Sequence, residues 1–182
     1  MKIFVMSDIH GSSFYLKKAL EAFEKEKADY ILILGDELYH GPRNPLPLEY
    51  DPKKVVEMLN PLKNKIMAVR GNCDSEVDQM LLQYPIMGDY STIFWNGKRI
   101  YCTHGHIYNK ENLPNIDSKD ILIYGHTHIP LAEKNSEGIF ILNPGSISLP
   151  KENNPNSYGI FENNKFSVKK LETLETFMEI DF

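Results

Sequence analysis

The sequence predicts an α/β fold, and three observations support this prediction. Short apolar runs of strand length recur along the chain, and most end at a glycine or a polar residue. In the first half these runs alternate with amphipathic helical patterns, which is typical of parallel strands joined by helices. After Pro85 the pattern changes to mostly strands. A chain of 182 residues, 42% of them hydrophobic, is long enough for one domain, 1–182, with a sizeable core.

The first half is predicted to hold three strand–helix units. Its strands, in chain order, are residues 2–6, 30–34 and 66–69. The predicted helix caps are Ser12, Asp51 with Pro52, and Ser75. Four apolar side chains in and after the third helix are predicted to face the core: Val77, Met80, Leu81 and Tyr84. Residues 37–50 contain three prolines and are predicted to form a loop.

The second half is predicted to be rich in strands. Asn96-Gly97, between apolar runs at 93–95 and 99–103, is a strong signal for a β-hairpin. Residues 121–124 are predicted to form a strand buried on both faces, which Gly125 and Pro130 bring to an end. Later strands are predicted at 138–142, 158–161 and 166–171, with a tight turn at 143–146.

Composition and charge exclude several classes of protein. A net charge of −5 provides no basic surface for long nucleic acid. Cys73 and Cys102 are too few for the disulfide framework of a secreted protein. The apolar run at the start of the sequence is too short for a signal peptide or a membrane span. We therefore expect a cytoplasmic protein that binds neither a membrane nor long nucleic acid.

Side chains that can bind metal ions follow the predicted strands. They are two carboxylates, one amide and four imidazoles: Asp8, His10, Asp36, Asn72, His104, His126 and His128. Ligands bind at strand carboxyl ends in α/β sheets. Residues two apart in extended chain point the same way, so Asp8 with His10, and His126 with His128, are each predicted to face one region. The set suffices for two divalent ions sharing one carboxylate, and its mixed donors suit manganese, iron or zinc better than calcium or magnesium.

These motifs resemble the calcineurin-like metallophosphoesterase superfamily. Its signature is matched in order by Asp8-Ile9-His10, Gly35-Asp36, Gly71-Asn72-Cys73-Asp74, His104 and Gly125-His126-Thr127-His128. The small bacterial YfcE-like phosphodiesterases are the most similar branch, in GDELYHGPRNPLP, VRGNCDSEVDQMLL, THGH, YGHTH and NPGS. The resemblance covers nearly the whole chain and implies a four-layer α/β/β/α sandwich of two mixed β-sheets flanked by helices. It also implies a phosphodiesterase that hydrolyses small phosphodiesters by attack of a hydroxide bound to a binuclear metal centre.

The resemblance assigns residues to roles. One ion would be held by Asp8, His10, Asp36 and His128, and the other by Asp36 as the bridge with Asn72, His104 and His126. The expected cofactors are two Mn²⁺ ions, with iron, zinc or nickel as alternatives. The catalytic candidates are Asn72, Cys73, Asp74 and His104. Cys73 is a departure, because the broader family often has a histidine there that can protonate the leaving group. The YfcE-like branch resembles this chain in having a cysteine.

Several interpretations stay open at this stage. Substrate binding is predicted for His40, Arg43, Arg70 and His106, although His40 could instead brace its loop and Arg70 could pair with a carboxylate. A covalent role for Cys73 is less favoured than attack by hydroxide. Two other classes remain, a non-catalytic scaffold of the same fold and a hydrolase of amides or esters. A homo-oligomer, dimer or tetramer, is also open, with apolar residues at 46–48 and 80–87 available for an interface or the core.

Overall fold

The structure, a computed structural model, describes all 182 residues, Met1–Phe182. Eleven strands form two mixed sheets, which confirms the predicted fold class. The first sheet comprises β1 (Ile3–Met6), β2 (Tyr30–Ile33), β3 (Ile66–Ala68), β9 (Ser157–Glu162), β10 (Lys165–Lys170) and β11 (Thr176–Asp181). The second comprises β4 (Tyr90–Trp95), β5 (Lys98–Thr103), β6 (Ile121–Ile123), β7 (Leu131–Lys134) and β8 (Phe140–Asn143).

The two sheets share a layout in which parallel strands are flanked by antiparallel ones. The first sheet has the order β11-β10-β9-β1-β2-β3, and its strands β1, β2 and β3 are parallel. The second has the order β4-β5-β6-β8-β7, and its strands β5, β6 and β8 are parallel. Each sheet therefore presents a set of parallel carboxyl ends at one edge, the usual location of a binding site.

A hydrophobic core lies between the two sheets, because alternate side chains along each strand point to opposite faces of its sheet. Ile3 and Val5 of β1 pack in a buried cluster with Ile121 and Ile123 of β6. Phe4 points away from the second sheet into a separate cluster that includes residues of two helices. This alternation is the period of two expected for a strand buried on both faces.

Helices cover the first sheet, whereas a loop covers the second. The helices are α1 (Ser13–Glu26), α2 (Pro52–Leu59), a 3₁₀ helix (Asn60–Leu62) and α3 (Glu76–Leu81). Leu16 of α1 and Leu59 of α2 are buried in the cluster on the outer face of the first sheet. On the outer face of the second sheet, Leu113 and Ile116 of the loop between β5 and β6 pack against buried residues such as Leu122. The outer layer on that side contains no helix. None of the helices is long and apolar enough to cross a membrane.

All three helix caps predicted from the sequence are confirmed. The side chains of Ser12, Asp51 and Ser75 each accept a hydrogen bond from a backbone N–H in the first turn. Ser75 and Asp78 form a reciprocal capping box. The predicted hairpin is also present, with Asn96 and Gly97 at φ 47° and 77°, as a two-residue turn of this type requires.

The prediction for the apolar face of α3 is wrong. Val77, Met80 and Leu81 are 63%, 82% and 49% exposed, and only Tyr84, which follows the helix, is buried. With six residues, α3 is too short to align a second turn of apolar side chains over the core. These three residues instead form an exposed apolar surface on α3.

Two strands were not predicted from the sequence. Pro130 is not the end of strand structure, since β7 begins at the next residue as an edge strand paired only with β8. The other is β11, an edge strand whose acidic residues alternate with apolar ones. Both occupy sheet edges, where proline and charged residues are tolerated.

Candidate metal centre

The seven predicted ligands lie at the carboxyl ends of five parallel strands. Asp8 and His10 follow β1, Asp36 follows β2, and Asn72 follows β3. From the second sheet, His104 follows β5, while His126 and His128 follow β6. Because the sheets pack face to face, these two edges meet. The structure therefore brings together residues separated by up to 120 positions in the sequence, from Asp8 to His128.

The backbone at this site is left-handed where extended chain is predicted. The angle φ lies between 49° and 63° at Asp8, His10, Asp36, His126 and His128. This conformation costs an L-residue on the order of 1 kcal/mol. The prediction that His126 and His128 face one region is wrong, because their rings diverge. His126 Nδ1 lies 3.2 Å from His104 Nε2, whereas His128 Nε2 lies 3.3 Å from His10 Nε2.

Two glycines permit the close approach of the loops that carry the ligands. A Cβ atom on Gly71 would lie 2.1 Å from Asp36 Oδ1, and one on Gly125 would lie 1.8 Å from the hydroxyl of Ser7. Any side chain at either position would therefore displace an aspartate that is a candidate ligand. This explains physically why glycine precedes Asn72 and His126 in the motifs.

The first donor group consists of Asp8 Oδ1, His10 Nε2, His128 Nε2 and Asp36 Oδ2. His128 Nε2 lies 3.2 Å from Asp8 Oδ1, and His10 Nε2 lies 3.7 Å from both the Asp8 and the Asp36 oxygens. Ligands about 2.1 Å from one ion lie about 3.0–3.4 Å from each other. The spacing within this group therefore approaches that of a coordination sphere.

The second donor group is arranged around His104 Nε2. This atom lies 3.1 Å from Asn72 Oδ1, 3.2 Å from His126 Nδ1 and 3.4 Å from Asp36 Oδ2. Asp36 Oδ2 thus belongs to both groups, while Asp36 Oδ1 accepts a hydrogen bond of 2.8 Å from the Cys73 N–H. One carboxylate oxygen is shared by the two groups, and the other is held by the backbone.

Backbone carbonyls orient three of the histidine rings. The Nδ1–H groups of His10 and His104 donate to Tyr39 O at 2.8 Å and Leu34 O at 2.6 Å, and His128 Nδ1–H donates to Leu149 O. Since a carbonyl only accepts, each Nδ1 carries a proton, and in its neutral form each ring directs its Nε2 lone pair into the donor groups. Metal-binding histidines are commonly oriented in this way.

The donor groups fit a cation. Asp8 Oδ1 is buried and has no hydrogen-bond partner, although Asp8 Oδ2 accepts from the Ser7 hydroxyl and the His126 N–H. Lone pairs of His10 and His128 face this oxygen and each other. Burying such an unpaired acceptor among other acceptors is costly unless a positive charge lies between them. A divalent ion supplies that charge, and the mixed oxygen and nitrogen donors suit a transition metal.

The electrostatics of the groups also favour bound positive charge. Burial would raise the pKa of Asp8, but His128 and His10 outweigh burial and hold that pKa well below its ordinary value. Burial would lower the pKa of His104, but Asp36 outweighs it and raises the pKa to about 9. Burial and the neighbouring His104 lower the pKa of His126 to about 4. Without a metal ion, a proton on His104 partly replaces it.

The carboxylate of Asp74, which is predicted to be catalytic, accepts three backbone hydrogen bonds. Its Oδ2 accepts from the N–H groups of Asp36 and Gly71 at 2.9 Å and 2.7 Å, and its Oδ1 accepts from Glu37 N–H at 2.9 Å. These three bonds tie the loop after β2 to the loop after β3. Asp74 is buried and is not among the residues that line the cleft.

The turn at 143–146 and the residues directly after it form hydrogen bonds that hold the backbone of Asp8. The hydroxyls of Ser146 and Ser148 both donate to the backbone carbonyl of Asp8, at 2.9 Å and 2.8 Å. Asn143 donates through Nδ2 to Gly125 O at 2.8 Å. These polar residues are buried and fix the loops that carry the ligands, so they brace the site.

A cleft of about 410 Å³ opens above the donor groups. Its lining is almost entirely polar: Asp36, Pro42, Arg43, Asn44, Asn72, Cys73, His126, Thr127, His128 and Lys151. The Cys73 thiol lies in this wall, within 4.8 Å of donor atoms of His10 and Asp36. Burial and the charge of Asp36 raise the pKa of this thiol to about 12. This thiol is therefore protonated at neutral pH in the metal-free site.

Only one of the four predicted substrate residues, Arg43, lines the cleft. His40 packs edge-on against the rings of Tyr39 and Tyr50, with its Nδ1 buried and unpartnered. Arg70 forms an ion pair with Asp89, as its structural interpretation expects.

His106 does not line the cleft, and its ring centroid lies 5.4 Å from that of His104. Four cleft residues were not predicted from the sequence: Pro42, Asn44, Thr127 and Lys151. Thr127 lies within the recognised motif, whereas nothing in the sequence around Lys151 distinguishes it from other surface lysines.

Known proteins resemble the chain in sequence and in structure. Residues 1–165 match the calcineurin-like phosphoesterase superfamily domain. Phosphodiesterase YfcE of Escherichia coli strain K12 is 51% identical over 168 residues, which is 92% of this chain and 91% of that protein. The solved structure of YfcE, a phosphoesterase from E. coli, superposes with a TM-score of 0.96 at 49% identity, covering 99% of this chain and 98% of the other. A Vps29 variant from Entamoeba histolytica shares the fold, with a TM-score of 0.68 at 22% identity over 100% of this chain and 99% of the other.

Proposed function

The chain belongs to the calcineurin-like phosphoesterase superfamily, and from this premise we propose that it is a metal-dependent phosphodiesterase acting on small phosphodiesters. The observation that carries the proposal is the pair of donor groups that share Asp36 Oδ2 at the base of a polar cleft. The printed name of the relative at 51% identity, a phosphodiesterase, supports the reaction class.

We propose two divalent ions as cofactors, with Mn²⁺ preferred and iron, zinc or nickel as alternatives. Asp8, His10, Asp36 and His128 would hold one ion, while Asp36, Asn72, His104 and His126 would hold the other. When bound, two such ions provide positive charge for the phosphoryl oxygens and lower the pKa of a water molecule toward neutrality. The unpartnered Asp8 Oδ1 and the fixed orientation of three imidazoles support this assignment.

The protein's own residues hold the reacting groups and supply little acid catalysis. Asn72 is exposed at the cleft, where its amide can contact a phosphoryl oxygen as well as an ion. Arg43 can donate charge-assisted hydrogen bonds to a non-bridging oxygen and orient the phosphorus. Burial raises the pKa of the Cys73 thiol to about 12 in the metal-free protein, so this thiol is a weaker general acid than a histidine at the same position. We therefore propose substrates with stable leaving groups.

Roles are also proposed for the predicted substrate residues outside the cleft lining. His106, near His104, and His40, in the loop beside Arg43, would shape the cleft. Arg70 would serve structure through its ion pair with Asp89. Asp74 would position Asp36 and would not itself react. A single domain at 1–182, a cytoplasmic location and a homo-oligomer are likewise proposed, the last on the exposed apolar surface of α3.

The second candidate, a non-catalytic scaffold, shares the fold with Vps29. The complete set of seven donors favours the enzyme, since a scaffold has no need for two oriented groups around one shared carboxylate. A hydrolase of amides or esters is less compatible with a donor set that contains four imidazoles and only two carboxylates.

A turnover screen tests the proposal. The metal-free protein is loaded in parallel with Mn²⁺, Zn²⁺, Ni²⁺ and Fe²⁺, and metal content is measured in each sample. Each is then assayed on p-nitrophenyl diesters and monoesters of phosphate. We expect metal-dependent hydrolysis that is faster for the diesters. A protein that binds two ions but hydrolyses no phosphate ester would favour the scaffold.

A further inference from the structure

Arg43 has no acidic partner although it lines the cleft. The chain contains three arginines, and the other two, Arg70 and Arg99, form ion pairs with Asp89 and Asp120. No carboxylate lies within 4.0 Å of the Arg43 guanidinium. An unpaired arginine that faces a binding cleft is available for an anionic ligand, and its planar group suits phosphate and carboxylate.

The backbone around Arg43 is fixed by a hydrogen-bonded turn. Asn44 N–H donates to Gly41 O at 3.2 Å, and Asn44 Nδ2 donates to His40 O at 2.9 Å. Gly41 has φ 75°, a conformation that favours glycine. Arg43 therefore projects from a defined position beside the donor groups.

Lys151 is a second unpaired cation in the cleft lining, and it comes from a different part of the chain. Its N–H donates to His128 O at 3.3 Å, which ties it to a candidate metal ligand. Its carbonyl accepts from both the N–H and Nδ2 of Asn154, at 3.1 Å and 2.9 Å. Two turns, around 41–44 and 151–154, thus hold the two cations in the lining of one cleft.

The charge in the cleft exceeds what a simple phosphodiester neutralises. Two divalent ions, the two carboxylates of Asp8 and Asp36 and the expected hydroxide have a net charge of about +1, and Arg43 and Lys151 raise it to about +3. A simple phosphodiester carries one negative charge. The remaining positive charge is most favourable when the ligand carries a further anion.

The lining also limits what the rest of the ligand can be. Among the ten lining residues only Pro42 is apolar, and none has a phenyl, phenol or indole ring. Nucleobases are usually bound by stacking on such rings. We propose that the substrate is a small phosphodiester whose retained alcohol carries a second anionic group, and that Arg43 and Lys151 bind this group. The inference rests on the proposed phosphodiesterase activity.

Four phosphodiesters that share the same leaving group test the inference. Each has a p-nitrophenyl leaving group, and the retained alcohol is methanol, choline, 2-phosphoethanol or glycolate. The reacting centre is the same, so kcat/KM differs through the second group alone. We expect the phosphate or carboxylate diester to exceed the methyl diester by about 10- to 100-fold, as charge-assisted hydrogen bonds allow. The cationic choline diester should be the slowest.

Variants connect this preference to the two residues. Lys151→Met and Arg43→Met should each reduce the ratio of kcat/KM between the anionic and the methyl diester. Lys17→Met, at an exposed position on α1, is the matched control and should retain the wild-type ratio. Titration calorimetry with the corresponding methylene phosphonates, which cannot be hydrolysed, should show the same loss of binding. Metal content is measured for every variant.

The outcomes separate the two proposals. Hydrolysis of no diester by the metal-loaded protein would overturn the proposed function. Hydrolysis of all four at similar kcat/KM would leave that function intact and overturn only the inference. An unchanged ratio in both Lys151→Met and Arg43→Met would also overturn it. A preference for phosphate over carboxylate, or the reverse, would identify the chemical class of the second group.

Discussion

Asp36 is the residue on which both donor groups depend. One of its oxygens lies 3.7 Å from His10 Nε2 and 3.4 Å from His104 Nε2. We expect Asp36→Asn to weaken both metal sites and to slow hydrolysis by at least about 100-fold, since changes to groups around metal ligands already cost about 10- to 100-fold. Metal analysis with kinetics measures both effects.

Asp117→Asn is the matched control for Asp36→Asn, because the Asp117 side chain is 93% exposed and lies outside the cleft. It should keep two ions and wild-type rates. Cooperative thermal unfolding of Asp36→Asn would establish that the fold survives. Two bound ions and near-normal activity in that variant would refute the shared role of Asp36.

The proposed preference for stable leaving groups can be tested at Cys73. Its thiol is protonated at neutral pH but is a weak acid. We expect Cys73→Ala to change the hydrolysis of activated diesters little. Cys73→His should accelerate substrates with poor leaving groups, by up to the roughly 10²–10⁴-fold that a positioned acid contributes. Rates for a series of aryl and alkyl diesters give the dependence on leaving-group pKa.

Cys73→Asn is the control for Cys73→His, because it adds a polar side chain that cannot donate an ionisable proton. If Asn and His accelerate alkyl diesters equally, general acid catalysis is not the cause. Complete loss of activity in Cys73→Ala, with both ions bound, would instead support the covalent role that the raised thiol pKa disfavours.

At the scale of elements, α3 departs most from what the sequence predicts. Its capping box forms as the sequence indicates, but Met80 is 82% exposed. We expect Met80→Gln to change the free energy of unfolding by less than about 0.5 kcal/mol. Leu59→Ala on α2, where the side chain is fully buried, should cost about 2–5 kcal/mol. Urea denaturation measures both values.

The same variants report on oligomeric state. Sedimentation of the wild-type protein and of Met80→Gln, at several concentrations, would detect assembly through α3. We expect Met80→Gln to be tolerated. If it lowers the free energy of unfolding by more than about 1 kcal/mol and also reduces the size of the oligomer, a second copy of the chain covers the exposed surface of α3.

The elements that the sequence predicts well are those that local chemistry specifies. The apolar runs of β1, β2 and β6 are buried on both faces and read as strands without tertiary context. Edge strands such as β7 and β11 have one exposed face and only one paired neighbour, so their patterns are weaker. The exposure of α3 was not predictable, because a helix has the same amphipathic spacing whether or not another part of the protein packs against its apolar face.

The candidate site, like the fold, was predictable from the sequence only in part. The identity of the seven donors follows from motifs at strand ends. Their partition into two groups was predicted from the family resemblance alone, because extended-chain geometry cannot represent the left-handed backbone at positions such as His126 and His128. Lys151 lies 23 residues beyond His128 in the sequence and reaches the cleft only through the packing of its loop.

For the whole molecule, the metal centre lies where the two sheets meet. Residues after β1, β2 and β3 face residues after β5 and β6, so an ion bound there links the two halves of the sandwich. Binding to the folded chain alone stabilises it in proportion to the logarithm of metal concentration. Removal of the ions should therefore lower the Tm of the entire protein.

The pKa of His104 determines how the metal-free protein responds to pH. Its folded value of about 9 exceeds the unfolded value of about 6.5, so the folded state binds more protons between these values. The stability that this proton provides is fully present below about pH 6.5 and is lost as pH rises toward 9. The raised pKa values of His10 and of the buried carboxyl of Glu37 act in the same direction.

We therefore expect the Tm of the metal-free protein to fall between about pH 6.5 and 9, by roughly 5–10 °C if the loss is a few kcal/mol. Stoichiometric Mn²⁺, added without oxygen, should raise the Tm most at the alkaline end, because the ion then occupies the position that the proton has left. Differential scanning calorimetry at half-unit pH steps measures both curves. His104→Gln should flatten the metal-free curve and reduce the Mn²⁺ effect. A metal-free Tm that rises with pH over this range would show that Asp36 and His104 do not share a proton.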